Sequence, residues 1–435
     1  MKKISFYTLG CKVNQVETEQ MIEEFLGRGY QLAEFGDPVD VCVINTCTVT
    51  HISDRKSRAA IRRAIRTNPA ALVVATGCLA QIDAQGINDM EGVGLVIGNQ
   101  AKEQTAEIVE TYLSGQVPGQ SVWLQPPDLE PGLRRFLYTI PHKRTRAFVK
   151  IQDGCQSFCS YCVVPHARGP VRSKKPDDVV AELAQLQALG YKEVVLTGIH
   201  TGQYGRELQG WDVTLLLDYI LGRVAGDYRI RLSSLEPLEV NARLLAMMAA
   251  QPRICRHLHI PLQSGSNRVL NLMGRRYTRD YYRQLVLEAA ALIPSAAFTA
   301  DVMVGFPQET DDDFHDTFNL IEELPMYDLH VFKYSQRAGT SAADMAGQVE
   351  ATAKQQRSQA LLDLAGRKKK EFIVAQVGQT VPVLTQKILP DGICMGLSDN
   401  YLEVRFPGRN DTVGHIMTVT IDEACSDFAV GHITV

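Results

Sequence analysis

The chain has 435 residues, 45% of them apolar, and its 45 Lys and Arg against 49 Asp and Glu leave a formal net charge of −4. That length allows two or three ordinary globular domains, and the near-neutral balance supplies no whole-molecule basic field, so a polyanion would have to be met by local patches. Ten cysteines are too few and too scattered for the disulfide framework of a short secreted domain, and a reducing cytoplasm is the expected setting.

The opening MKKISFYTLGC carries two lysines and about six apolar residues, fewer than the roughly 7 to 15 of a signal-peptide core, and reads as a first strand. No apolar run reaches the roughly 18 residues of a membrane span, so no membrane partner is expected. From Ile4 to about Gly115 short apolar runs (ISFYTLG, VDVCVIN, LVVATG, VGLVIG) alternate with the helix-like NQVETEQMIEEFLGRG and SDRKSRAAIRRAIRTN. This is the pattern of a small parallel α/β domain. Cys11, Cys47 and Cys78 follow the first, second and third strands. The carboxyl ends of strands in an open parallel sheet share one edge, where ligands bind. The three cysteines are therefore expected to meet at one crevice, as ligands of a metal cluster; the competing reading is three small core residues. Cys42, inside the second strand, and the isolated Cys255, Cys394 and Cys425 are read as structural. Arg55, Lys56, Arg58, Arg62, Arg63 and Arg66 line one helix, as a solvated face or a phosphate-contacting edge.

Residues 117–144, rich in Pro and Gly without sustained period, read as a linker. From Arg146 to about Gly366 six strands recur (AFVKIQ, EVVLTG, RIRLSSL, HLHIPL, FTADVMVG, DLHVFKYS) with helical stretches between them. They predict an incomplete parallel (β/α)6 barrel, open on one side. The barrel rim carries Gly198 and His200, Ser234 and Glu236, Gln263 and Ser264, Asp301 and Gly305, and Tyr334 and Arg337, which as a ring would suit a zwitterionic, ribose-bearing cofactor. A long amphipathic helix with a GRKKK patch leads out of this part. The last 60 or so residues give five short strands between Gly, Asp and Asn turns, a small β-barrel. Past Phe372 that barrel has only Lys387, Arg405 and Arg409 against seven Asp and Glu, so it is expected to bind by shape or to position rather than to grip RNA. The resulting division is 2–114, a linker at 115–140, 141–371 and 374–435.

The densest motif follows the first barrel strand: QDGCQSFCSYCVVPHARG, with Cys155, Cys159 and Cys162 four and three residues apart. Three thiolates on one loop can ligate three irons of a cubane and leave the fourth iron open. An open position is what separates a reacting centre from a structural one. A zinc site of three cysteines completed by His166 or His200 is the alternative.

CxxxCxxC with an aromatic before its last cysteine resembles the radical S-adenosylmethionine (SAM) superfamily. Such a resemblance implies that the open iron binds the amino and carboxylate groups of SAM, and that reduction yields a 5′-deoxyadenosyl radical. Phe158 and Tyr161 on the loop then join Gly198, His200, Ser234, Glu236, Gln263 and Asp301 as candidate SAM contacts. The whole arrangement, with TLGCKVNQVETE, INTCTVTHISDRKSR and the QDGCQSFCSYC loop, is similar to the methylthiotransferases, whose last domain is called TRAM. It looks most like the branch acting on threonylcarbamoyladenosine in tRNA, although Gln156 departs from that branch's asparagine.

The resemblance implies two 4Fe–4S clusters, an auxiliary one on Cys11, Cys47 and Cys78 and a SAM cluster on Cys155, Cys159 and Cys162, these six being the catalytic set. It implies replacement of hydrogen at adenine C2 by a methylthio group beside the anticodon, and hence a tRNA anticodon stem-loop as partner. It also implies an electron donor of flavodoxin or ferredoxin type, and it leaves the sulfur donor open. Competing expectations are methylthiolation of isopentenyladenosine in tRNA or of a ribosomal-protein aspartate. From another class, the chain would be an iron–sulfur RNA-binding or electron-carrying protein without turnover.

Overall fold

Near the N-terminus six short strands, β1 (Lys3–Thr8), β2 (Gln31–Leu32), β3 (Val41–Thr46), β4 (Leu72–Gly77), β5 (Val93–Ile97) and β6 (Val122–Trp123), form one parallel sheet in the order β2-β1-β3-β4-β5-β6. β3 is buried at all six positions, which is why its first four residues, VCVI, form a continuous apolar run rather than an alternation. Helices Lys12–Gly27 and Thr105–Leu113 pack Met21, Phe25, Ile108 and Val109 against Ile4, Val41, Val43 and Val74 on one face. Helix His51–Thr67 packs Ala60, Ile61 and Ala64 against Cys42, Ile44 and Ala75 on the other. The chain leaves β1 toward β2 and returns to β3 on β1's other side. The strand order therefore reverses between β1 and β3, the place where open α/β sheets open a crevice.

The structure, a computed structural model, describes residues 1–116, 119–125, 133–138 and 144–434. They fall into two compact units, 1–139 with 152–174 and 335–343, and 140–151 with 175–334 and 344–435. Space and sequence thus divide the chain differently: the segment bearing Cys155, Cys159 and Cys162 is part of the first unit. It is closed at its base by a two-residue antiparallel ribbon, Gln152–Asp153 with Arg172–Ser173. Of the predicted linker, Val122–Trp123 is instead an edge strand paired with β5, and Leu133 bridges Lys174; residues 117–118, 126–132 and 139–143 lie outside the described residues.

In the second unit the six predicted barrel strands are present: Ala147–Lys150, Glu193–Thr197, Arg229–Leu232, His257–His259, Ala297–Val304 and Asp328–Lys333. They form two parallel three-stranded sheets, ordered third-second-first and fourth-fifth-sixth. At the joint between the halves Ile230 bridges Ile254, and Leu235 N–H donates to the His259 carbonyl at 3.0 Å.

The C-terminal strands Thr380–Ile388, Ile393–Ser398, Glu403–Pro407, Ile416–Ala424 and Ala429–Ile433 close into a five-stranded barrel. It is anchored to the parallel strands by charge. Glu193 is fully buried and accepts hydrogen bonds from Arg229 Nε (2.7 Å) and Arg231 Nε (2.8 Å). The same guanidiniums donate to the carbonyls of Pro382, Leu397, Ser398 and Asp399 at 2.7 to 2.9 Å. His257 stacks on Tyr401 at 4.3 Å. Burial alone would raise the Glu193 carboxyl, but Arg231 and Arg229 hold it well below the usual carboxylate range. Of this barrel's few cations, Arg405 is already engaged, paired with Glu403 and lying over the Phe428 ring.

Candidate functional site

Cys11 and Cys47 follow β1 and β3, Cys78 opens the helix Cys78–Ile82 directly after β4, and these three strands are adjacent in the sheet. The three thiols are close enough for their charges to influence one another. Burial pushes the Cys11 and Cys47 thiols up. Cys11 is nevertheless reached by solvent, as a group at the mouth of a recess would be.

Two glycines make this approach possible. Gly10 has φ +99°, and a Cβ there would lie 2.9 Å from Cys47 Cβ; Gly77 has φ +97°, and a Cβ there would lie 2.4 Å from the Thr46 carbonyl oxygen. No other residue fits either position without moving the neighbouring loop. Side chains complete the frame. Asn14 Nδ2 donates to the carbonyls of Leu9 (2.7 Å) and Thr46 (3.0 Å). Ser57 Oγ accepts from Cys47 N–H (3.1 Å) and donates to the Cys47 carbonyl (2.9 Å). Arg337, expected on the barrel rim, belongs to this unit instead and donates to Thr48 Oγ1 (2.5 Å) and Asp54 Oδ2 (2.7 Å).

The second cysteine set lies in the same unit. Cys155 N–H donates to the Gly169 carbonyl (3.0 Å), Cys162 N–H to the Cys159 carbonyl (2.9 Å), and Ala342 N–H to the Ser160 carbonyl (2.8 Å). The two sets are joined through the short helix Val164–Arg168. Asn99 Nδ2 donates to the Ala167 carbonyl at 2.7 Å and lies 3.6 Å from Cys78 Sγ. Arg168, 1% exposed, donates to Glu17 (2.8 and 3.2 Å), Asp153 (2.9 Å) and Asn14 Oδ1 (2.5 Å), and Lys102 Nζ donates to Glu17 Oε2 at 2.6 Å. Phe158 holds φ +47°, which is strained for a residue with a Cβ, and is 62% exposed.

None of the ten cysteines forms a disulfide. Two sets of three thiols are the donor chemistry that iron–sulfur clusters take. Among the described residues His259, Asp301 and His330 also bring three donor atoms together.

Tyr161 lies with Phe158 in the first unit, and the other predicted contacts lie in the second, in two groups. His200 Nε2 is 2.5 Å from Glu239, whose Oε2 accepts from Glu236 N–H at 3.0 Å, and Glu236 pairs with Arg275; burial pushes the Glu236 carboxyl up. Gly198 follows the second strand and Ser234 is exposed after the third. Across the joint, Gln263 holds φ +63° and buries an Oε1 with no partner. Asp301 Oδ1 lies between His259 Nε2 (3.2 Å) and His330 Nδ1 (3.1 Å). Sequence reading missed Asn14, Glu17, Asn99, Lys102 and Arg168. Their signal was weak, because a charged residue inside an amphipathic helix or after a cysteine loop looks like a surface residue.

The radical SAM superfamily model matches residues 149–321, and that of the uncharacterized protein family UPF0004 matches residues 3–98. The fold agrees: the radical SAM methyltransferase TsrM from Kitasatospora setae, solved with cobalamin and a [4Fe-4S] cluster bound, superposes with a TM-score of 0.60 over 79% of this chain and 77% of that one, at 14% identity. The chain is therefore a radical SAM enzyme, with S-adenosylmethionine and 4Fe–4S clusters as its cofactors. Its relatives narrow the class. The Bacillus subtilis threonylcarbamoyladenosine tRNA methylthiotransferase MtaB is 39% identical over 98% of this chain and 94% of its own length. The Aquifex aeolicus protein of that name is 37% identical over 96% and 100%, and a Pelotomaculum thermopropionicum tRNA-2-methylthio-N(6)-dimethylallyladenosine synthase is 35% identical over 98% and 96%. The chain belongs to the radical SAM methylthiotransferase family that these enzymes represent. Among the described residues no helix is long and apolar enough to cross a membrane.

Proposed function

We propose that the protein adds a methylthio group to C2 of N6-threonylcarbamoyladenosine beside the anticodon of tRNA. The observation carrying the substrate is the near full-length identity, 39% and 37%, to two enzymes named for that nucleoside. The 35% identity to a dimethylallyladenosine synthase keeps that nucleoside as the second reading.

Cys155, Cys159 and Cys162 would hold the cluster that binds SAM, and Cys11, Cys47 and Cys78 the auxiliary one. When bound, SAM and the clusters supply the electron, the radical and the sulfur site needed at an aromatic C–H that no general base can activate. Everything else falls to side chains and backbone. Gly10, Gly77, Asn14 and Ser57 set the cysteine recess. The helix His51–Thr67 begins four residues after Cys47 and turns Arg55, Lys56, Arg62, Arg63 and Arg66 to solvent, an edge suited to stem-loop phosphates. Val49 and Ile52, 54% and 57% exposed at its start, offer an apolar ledge for a splayed base. The electron donor would be of flavodoxin or ferredoxin type.

The test uses anaerobically reconstituted full-length protein, dithionite, SAM and two tRNAs, one carrying threonylcarbamoyladenosine and one isopentenyladenosine. The expected result is 5′-deoxyadenosine release with a methylthio mass increment on the first tRNA. An increment on the second alone would reassign the substrate, and no 5′-deoxyadenosine would indicate a carrier rather than an enzyme.

A further inference from the structure

Two buried cations, Arg168 and Lys102, stand beside the two cysteine sets. Among the described residues they and Arg172 pair with Glu17 and Asp153 in one network. Arg168 and Lys102 are almost wholly buried. A buried guanidinium is normally paired and has its donors satisfied, yet among the described residues Arg168 Nε–H has no acceptor. Sulfur is close by: Asn99 Nδ2, which donates to the carbonyl of Ala167 next to Arg168 at 2.7 Å, lies 3.6 Å from Cys78 Sγ. Cys78 and Cys11 are close enough to Arg168 for their charge to act on it, and Cys78 also acts on Lys102.

Resting on the auxiliary cluster proposed above, we propose that Arg168 is the electrostatic partner of the group held by Cys11, Cys47 and Cys78. Its charge and its unsatisfied Nε–H hold that cluster at a higher reduction potential than the thiolates alone would give. The direction follows from Coulomb's law. Reduction adds negative charge, and a fixed cation close by in a poorly solvated site favours the more negative state. Arg168 is suited to this because Glu17, Asp153 and Asn14 fix its other nitrogens, so it cannot turn away to solvent. It acts through the cysteine-held group and is a positioning residue in that sense.

The test uses full-length protein in which Cys155, Cys159 and Cys162 are all replaced by Ala, leaving one cluster of about four irons per chain. Iron is counted and the midpoint potential is read by a redox titration followed by electron paramagnetic resonance. With Arg168→Gln the potential falls at unchanged iron content, and with Arg168→Lys most of the shift is recovered. Glu17→Gln, which removes an anion from the same network, moves the potential the opposite way, whereas a merely structural role has no reason to reverse sign. If Arg168→Gln does not take up iron, the Lys and Glu17 variants decide the matter. Potentials that stay at the parent value, or that move in one direction for both charge changes at full iron content, overturn the proposal. A parent variant that binds no iron refutes the auxiliary cluster itself, and this inference with it.

Discussion

Replacing Glu193 by Gln probes how the C-terminal barrel is attached. Glu193 is fully buried and receives three guanidinium hydrogen bonds, from Arg229 Nε at 2.7 Å and from Arg231 Nε and Nη2 at 2.8 and 3.1 Å. Glutamine keeps the shape and one acceptor but leaves buried cations without their counter-charge. Removing one partner of a buried ion pair costs about 3 to 5 kcal/mol. At about 2 to 4 °C per kcal/mol for a large domain, the melting temperature should fall by about 6 to 20 °C. The arginines hold four carbonyls of the C-terminal barrel, so protease cleavage within residues 376–380 should also quicken. The pH dependence carries its own sign. Because the folded carboxyl is held below its ordinary range, its contribution is present above the unfolded pKa of about 4.3 and is lost as pH falls through and below it. The gap between wild type and variant, measured by differential scanning calorimetry, should therefore narrow below about pH 4. A variant melting within about 1 °C of wild type at neutral pH, or a gap unchanged to pH 3, would refute this account of the anchor.

Three further outcomes are expected. Cys47→Ala should cut iron in anaerobically reconstituted protein by about half, from about eight per chain toward about four, as read by colorimetric iron analysis. Gly77→Ala should have a similar effect without removing a thiol, because its Cβ would strike the Thr46 carbonyl; full iron retention would show that the loop yields. The triple change Arg62→Ala, Arg63→Ala and Arg66→Ala should weaken tRNA binding and lower the slope of log affinity against log salt by about one per lost phosphate contact, while leaving iron content intact. An unchanged slope would return that helix to a solvated surface.

The parts of the fold that could be read in advance were those where burial imposes a pattern. β3 is covered on both faces, so it opens with four apolar residues in a row, Val41 to Ile44, and the six barrel strands and five C-terminal strands were visible from their own short apolar runs. Glycine and cysteine punctuated the strand ends, so the convergence of Cys11, Cys47 and Cys78 followed once the sheet was recognised as parallel. What escaped was long-range pairing. Glu17 lies on a helix whose spacing suggests a solvent face, yet it meets Arg168, 151 residues later. Residues 152–174 pack with the N-terminal sheet although they are interleaved with barrel strands in sequence. Val122–Trp123, too short to signal a strand, was read as linker until β5 offered its edge. Arg229 and Arg231 looked like ordinary strand residues, because nothing local announces that the C-terminal barrel will present carbonyls to them.

The central claim is most directly tested by nucleoside mass spectrometry of total tRNA from cells with and without the gene. Deletion should abolish 2-methylthio-N6-threonylcarbamoyladenosine, leave unmethylthiolated threonylcarbamoyladenosine in its place, and be reversed by the intact gene but not by one encoding Cys47→Ala. An unchanged level of the methylthiolated nucleoside, or loss of the methylthio group from isopentenyladenosine instead, would contradict it.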